Sequence, residues 1–140
     1  MNDRCLFRGK RVDNGEWVVG VPYFKNDKCV IITSLFSCEE YQCAGAEIFE
    51  VIPETVGQCT ELKDKNRKLI FEGDIAKFKR FGNTYIGKVV FNLKTAGFEF
   101  WWTVVAGAYG EHPTYAANLS VCDEIEVIGN IHDNLELLKD

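Results

Sequence analysis

Apolar residues alternate with polar ones at a period of two along most of the chain, and Gly, Asn and Asp interrupt the alternation at intervals. Strand side chains point to opposite faces in turn, so this pattern predicts short strands joined by tight turns. In the first part, residues 6–8, 16–24 and 29–33 read as strands, with Asp13-Asn14-Gly15 and Lys25-Asn26-Asp27-Lys28 as the turns of an N-terminal β meander. Residues 37–46 follow neither a strand nor a helix period and read as a loop or one helical turn, after which 47–52 return to a strand pattern. Pro53 has no amide hydrogen for a ladder and restricts Ile52, so the chain turns out of the sheet there.

The second part opens on Glu72-Gly73-Asp74, which delivers the chain into a strand at 75–79, and Phe81-Gly82-Asn83 turns it back. Further strands are expected at 85–91, 97–102, near 118–121 and at 125–128. Short strands at this spacing predict an SH3-like β-roll or barrel. Asp133 and Asn134 can accept hydrogen bonds from free helix amides, and Leu135, Leu137 and Leu138 offer an apolar side, so a short C-terminal helix is expected. The expected organisation is an N-terminal β-rich region over 1–60 and the SH3-like roll over 61–140. At 140 residues folding hides roughly 68–70% of the unfolded surface, enough for one continuous core, so the two regions are expected to form one compact unit.

Composition narrows the setting. With 46% hydrophobic and 13% aromatic residues the chain is too apolar to stay disordered. Charges at Asp3, Arg4, Arg8 and Lys10 interrupt the place where an export signal needs an apolar run, and no apolar run approaches the roughly 20 residues of a membrane helix. A cytoplasmic protein with no membrane partner is expected. On that reading the six cysteines (Cys5, Cys29, Cys38, Cys43, Cys59 and Cys122) are reduced and mainly buried. The net charge of −5 is shared by both halves, so neither has the overall positive charge that nucleic acid attracts.

Each chemical candidate has a plainer rival. Glu72 and Asp74 alternate by two and on an extended segment would lie about 7 Å apart on one face, the carboxylate pair a small hydrolase would use. The rival is turn chemistry around Gly73, and Glu54, Asp64 and Asp133 meet the same objection. Cys38-x4-Cys43, helped by Cys29, Cys59, His112 or His132, could assemble a zinc site, yet structural zinc favours two close pairs and only one loose pair is present. The two histidines fit surface and packing roles better than the base of a nucleophile pair. Gly107-Ala108-Tyr109-Gly110 lacks the third glycine and Lys-Ser/Thr ending of a phosphate loop. No catalytic, cofactor-binding or metal-binding residue is therefore assigned, and no cofactor is expected.

Surfaces are the alternative to chemistry. Phe98, Phe100 and Trp102 share one face of a strand, leaving Trp101 with Glu99 on the other. Either the excursion over 103–119 covers Trp101 using Tyr109 or Tyr115, or Trp101, Tyr109 and Tyr115 form a patch that meets another subunit or protein. Lys63, Lys65, Arg67 and Lys68, then Lys77, Lys79, Arg80 and Lys88, could form an edge for nucleic acid with aromatic rings nearby, although acidic residues balance them.

Phe7-Arg8-Gly9-Lys10, Gly15-Glu16-Trp17-Val18 and Gly20 resemble the opening of the YopX family of phage and prophage proteins. The resemblance continues through Ile52-Pro53-Glu54-Thr55-Val56-Gly57-Gln58, Leu62-Lys63-Asp64-Lys65-Asn66 and Glu72-Gly73-Asp74-Ile75. It ends on Glu126-Val127-Ile128-Gly129-Asn130-Ile131, Asp133-Asn134 and Glu136-Leu137-Leu138. Glu61, Arg67 and Leu135 depart from the family's usual Gly, Gly and Pro. The resemblance implies an SH3-type β-roll with extra β structure and a bacterial cytoplasm during phage gene expression, and it brings no assigned activity or catalytic residues. The expectation is a non-enzymatic interaction module that forms a homo-oligomer or binds a host or phage protein. The alternatives are a nucleic-acid-binding regulator and a small carboxylate-dependent hydrolase.

Overall fold

The computed structural model describes residues 6–38, 43–103 and 114–138. They are mainly β, in two antiparallel sheets, and the chain divides into two compact units, Met1–Cys59 and Thr60–Asp140.

In the first unit β1 (Phe7–Lys10), β2 (Trp17–Lys25), β3 (Lys28–Cys38), β4 (Cys43–Val51) and the start of β5 (Gly57–Lys63) lie in the order β4-β3-β2-β1-β5. The β1–β2 turn is held by Asn14, whose Oδ1 accepts the Glu16 amide at 3.0 Å. Its neighbour Gly15 takes a φ of +74°, which a residue with a Cβ adopts only at a cost. The end of β1 also reaches β4 on the far side of the sheet: Arg11 bridges to Val51, and the Ile52 amide donates to Lys10 O at 2.8 Å. Such closure requires strong curling, and the inner face then buries Cys29, Ile31 and Val51 against Phe7, Val18 and Val56. A Cβ on Gly9 would lie 2.8 Å from Val51 Cγ2, so the small residue sets how closely β1 can approach.

Of the segment 37–46 expected as a loop or one helical turn, residues 37–38 and 43–46 instead pair as the ends of β3 and β4, with Cys38 opposite Cys43, and 39–42 lie outside the described residues. A register shift between Ile32 and Ser34 breaks the alternation there, and backbone pairing with the neighbouring strand carries a stretch whose own sequence has no strand period. After β4, Pro53–Thr55 forms a 3-10 turn in which Thr55 Oγ1 donates to Ile52 O at 2.6 Å and accepts the Lys10 amide at 2.9 Å.

In the second unit the rest of β5 lies beside β6 (Leu69–Phe71). A five-stranded sheet follows, of β7 (Asp74–Arg80), β8 (Asn83–Asn92), β9 (Gly97–Thr103), β10 (Thr114–Asn118) and β11 (Asp123–Asn130), in the order β10-β9-β8-β7-β11. Its core is aromatic. Phe78 stacks on Phe100 with centroids 4.4 Å apart and meets the edge of Trp102 at 5.1 Å, among Ile70, Ala76, Val89, Ala117, Leu119 and Cys122.

The sheet does not close into the expected SH3-like barrel, since β10 and β11 form its two edges. The strand expected near 118–121 is a 3-10 turn, Leu119–Val121, capped by Asn118 Oδ1 on the Ser120 amide at 2.9 Å; the strand is Thr114–Asn118 before it. This turn ends β10 after five residues, and the chain then pairs with β7 at the opposite edge. The C-terminal helix is reduced to one 3-10 turn, Leu135–Leu138. Asn134 does not cap it: its Oδ1 accepts the Asn130 amide behind it at 3.2 Å, fastening the end of β11.

Candidate functional site

Two of the acidic candidates, Asp74 and Asp64, are engaged with main chain. Asp74 is 1% exposed, and its Oδ2 accepts the Phe71 amide at 2.8 Å. Gly73 between the two carboxylates has a φ of +91°; its amide donates to Val89 O at 2.9 Å and its carbonyl accepts from Ile131 N at 2.8 Å. Glu72-Gly73-Asp74 is thus a junction of β6, β8 and β11 rather than an open pair. Asp64 accepts three amides, those of Asn66 and Lys68 at 2.9 Å and that of Val127 at 3.0 Å. Burial pushes its pKa up, but the Val127, Lys68 and Asn66 amides together with the Lys68 charge outweigh burial and hold the carboxyl below the usual range. Asp133 accepts from Asn130 Nδ2 at 3.2 Å, and Glu54 is an exposed residue of the Pro53–Thr55 turn.

Cys29, Cys59 and Cys122 are buried free thiols. Burial pushes Cys29 and Cys122 up, which disfavours the thiolate that a nucleophile or metal ligand needs. Among the described residues no three His, Cys, Asp or Glu converge to hold a metal. Cys5, Tyr109 and His112 lie outside the described residues, as do the side chains of Cys38 and Cys43.

The basic residues do not form one edge. Lys77 and Lys79 share a face of β7 with Lys88 of β8, whereas Arg80 alternates to the opposite face. Lys79 pairs with Glu124 at 3.1 Å and Lys65 with Glu126 at 3.1 Å, while Lys63 stands exposed on β5. Two of these lysines are therefore already met by carboxylates of β11, and exposed pairs of this kind are worth about 1 kcal/mol or less.

Trp101 and Tyr115 also part company. Trp101 donates its indole N–H to Glu99 Oε1 at 3.0 Å, and Asn92 Nδ2 and Thr95 Oγ1 bind the same carboxylate. The Trp101 bond leads in holding the Glu99 carboxyl below its usual range, followed by Asn92, with burial opposing. Trp101 borders a groove of about 370 Å³ with Ile86, Lys88, Thr103, Thr114 and Leu138. Tyr115 sits opposite Trp102 in the β9–β10 register, on the other face of the sheet, so it does not cover Trp101. There it stacks on Trp102 at 5.9 Å and 23°, and Tyr85 lies 5.2 Å from the same indole. Tyr85, Trp102 and Tyr115 join Arg80, Phe81 and Ala116 around a second groove of about 350 Å³, the open mouth of the aromatic core.

Among the described residues a row of exposed apolar side chains lies in the first unit, and the reading of single residues missed it. Val19, Val21 and Tyr23 of β2 share the outer face of the curled sheet, with Val30 and Ile32 of β3 and Ile48 of β4 beside them. Val19 is 42% exposed, Val21 47%, Ile48 53% and Tyr23 57%. Lys25, Lys28 and Glu50 rim this face, with Lys28 and Glu50 3.9 Å apart. The signal was the run of residues 17–24, which is apolar on both faces of the strand, as in strands covered on both sides.

A family model described as YopX protein matches residues 6–139 of the chain. No curated protein is similar to it in sequence.

Proposed function

The chain belongs to the YopX family, and from that premise we propose that it is a non-enzymatic phage or prophage accessory protein that works as an interaction module in the bacterial cytoplasm. Its first occupant is a second copy of itself, seated on the outer face of β2–β4. The observation that carries this reading is the row of apolar residues on that face, four of them 42–57% exposed. An apolar centre with a charged rim is the usual anatomy of a specific interface.

Self-complementarity favours a second copy. Tyr23, Val30 and Glu50 lie in register across the three strands, as do Val21, Ile32 and Ile48. A two-fold axis along β3 brings Val30 and Ile32 onto their own mates and Val21 onto Ile48 of the second copy. It also brings Tyr23 and Lys25 toward Glu50 of the second copy, joining a donor and a cation to a carboxylate. Two-fold association requires a patch that matches itself in this way. With only six apolar residues, the dimer is expected to dissociate in the micromolar range, on the order of −8 kcal/mol.

Sedimentation velocity tests the reading. The wild-type chain should shift from monomer to dimer over the micromolar range, and V21D/I48D should stay monomeric and melt like the wild type at concentrations where the wild type is itself monomeric. A wild-type monomer throughout overturns self-association. If V21D/I48D also leaves capture of a specific host or phage protein unchanged, this face is not the interaction surface.

A further inference from the structure

From the mouth of the second unit we infer a binding site for a mononucleotide, with the base among Tyr85, Trp102 and Tyr115 and the phosphate on Arg80. This site lies on the second unit alone and does not depend on the pairing face of the first.

The walls of the mouth are flat. Tyr115 lies against Trp102 at an interplanar angle of 23° and Tyr85 at 33°, while Trp102 and Phe78 meet at a steep 75° in the core. Tyr115 keeps 46% of its surface exposed. Trp102 is itself 7% exposed and serves as the anchor, while Tyr115 and the half-buried Tyr85 packed against it open outward as a platform for a planar guest, and stacking on such side chains tolerates any base. The cavity of about 350 Å³ falls at the lower end of the range seen for small-ligand sites.

Phe81 adds a second observation. It occupies the hairpin turn between β7 and β8, where Phe81 has a φ of +51° and Gly82 of +77°. A two-residue turn of this kind favours Asn or Gly in its first position, and a bulky aromatic there is disfavoured. The ring gains no burial in return, because Phe81 is 86% exposed. What the position does achieve is to set an aromatic ring at the rim of the mouth, with the Arg80 guanidinium 4.5 Å from its centroid.

Charge selects the occupant. A cluster of rings by itself favours cations, but Arg80 lines this cavity and, among the described residues, no carboxylate does. A flat guest with an anionic tail suits both features. The same charges favour one nucleotide over a nucleic-acid strand. Lys77, Lys79 and Lys88 project from the opposite face of the sheet, so these lysines of β7 and β8 do not extend the charge of Arg80 into a line of cations. The net charge of −5 also works against a polyanion.

Tryptophan fluorescence and calorimetry on the full chain test this with AMP, UMP, adenosine, inorganic phosphate and a thymidine 20-mer as probes. AMP and UMP should give saturable changes, with adenosine binding at least about tenfold more weakly than AMP through loss of a charge-assisted contact worth about 1.5 kcal/mol or more. R80Q should lose that preference while leaving adenosine affinity unchanged. Y115A should weaken AMP and adenosine together, and both variants should melt like the wild type. The inference is overturned by the absence of a saturable response to either mononucleotide, by equal affinity for AMP and adenosine, or by an R80Q variant that keeps the AMP preference. A 20-mer that binds with a steep salt dependence while AMP does not would also overturn it, in favour of a strand-binding surface.

Discussion

The outer face of β2–β4 and the mouth above Trp102 both leave apolar groups in water, but they are built differently. The first is a broad surface of separate aliphatic side chains on a curled sheet, with a Tyr and charges only at its margin. The second is a concavity of rings that continue out of the core, with a guanidinium in its lining. A broad apolar surface can be covered only by another surface, whereas a concavity with flat walls and one charge defines a small guest. On the two proposals the units recognise different kinds of partner, and Asp64 and Asp74 contribute to neither surface directly.

The largest effect separates covered from open apolar groups. Phe78→Ala should destabilise the second unit by about 3–5 kcal/mol in chemical denaturation, because it empties the stack against Phe100 and Trp102. Val21→Asp, a harsher change in polarity, should shift the same measurement by no more than about 0.5 kcal/mol, since Val21 is 47% exposed in the monomer. A large loss from Val21→Asp would show that the outer face is already covered within one chain.

Asp64→Ala should cost about 2–3 kcal/mol near neutral pH, by leaving the amides of Asn66, Lys68 and Val127 without their acceptor. Because the folded pKa of Asp64 is depressed, its contribution is fully present above the unfolded value and is lost as pH falls through the folded one. Stability of the wild type should thus decline in acid more steeply than that of D64A, as followed by urea denaturation at a series of pH values. Parallel acid profiles would remove Asp64 from the account of the second unit.

Gly9→Ala comes next, at about 1–3 kcal/mol, because the added Cβ would press on Val51. The cost should fall on the first unit, measured by hydrogen exchange of the Cys29 and Ile31 amides. An unchanged exchange rate would mean that the curl between β1 and β4 is loose.

How much of this was legible in the sequence follows from the range over which each feature is determined. Turns are local, so Asp13-Asn14-Gly15 and Phe81-Gly82-Asn83 could be read directly. The faces of β9 were legible for the same reason, since alternation alone separates Trp101 from Phe100 and Trp102. Register across a long connection was not. The segment between β9 and β10 hides the pairing of Tyr115 with Trp102, and with it the face on which Tyr115 stands. The hairpin ending at Cys38 and Cys43 escaped because partner strands impose it on residues with no apolar period. The carboxylates were legible as residue types but not as acceptors: Asp64 is committed by an amide 63 positions away. The open face of the first unit was visible as a strand apolar on both sides, though only the sheet showed which side remained uncovered.

The most direct test of the central claim, that the outer face of the first unit pairs with a second copy, is sedimentation velocity of the full chain beside V21D/I48D. The account predicts a concentration-dependent dimer for the wild type and a monomer for a variant that melts at the temperature of the dilute, monomeric wild type. A wild-type chain that remains monomeric throughout the micromolar range, or a variant that dimerises equally well, would contradict it.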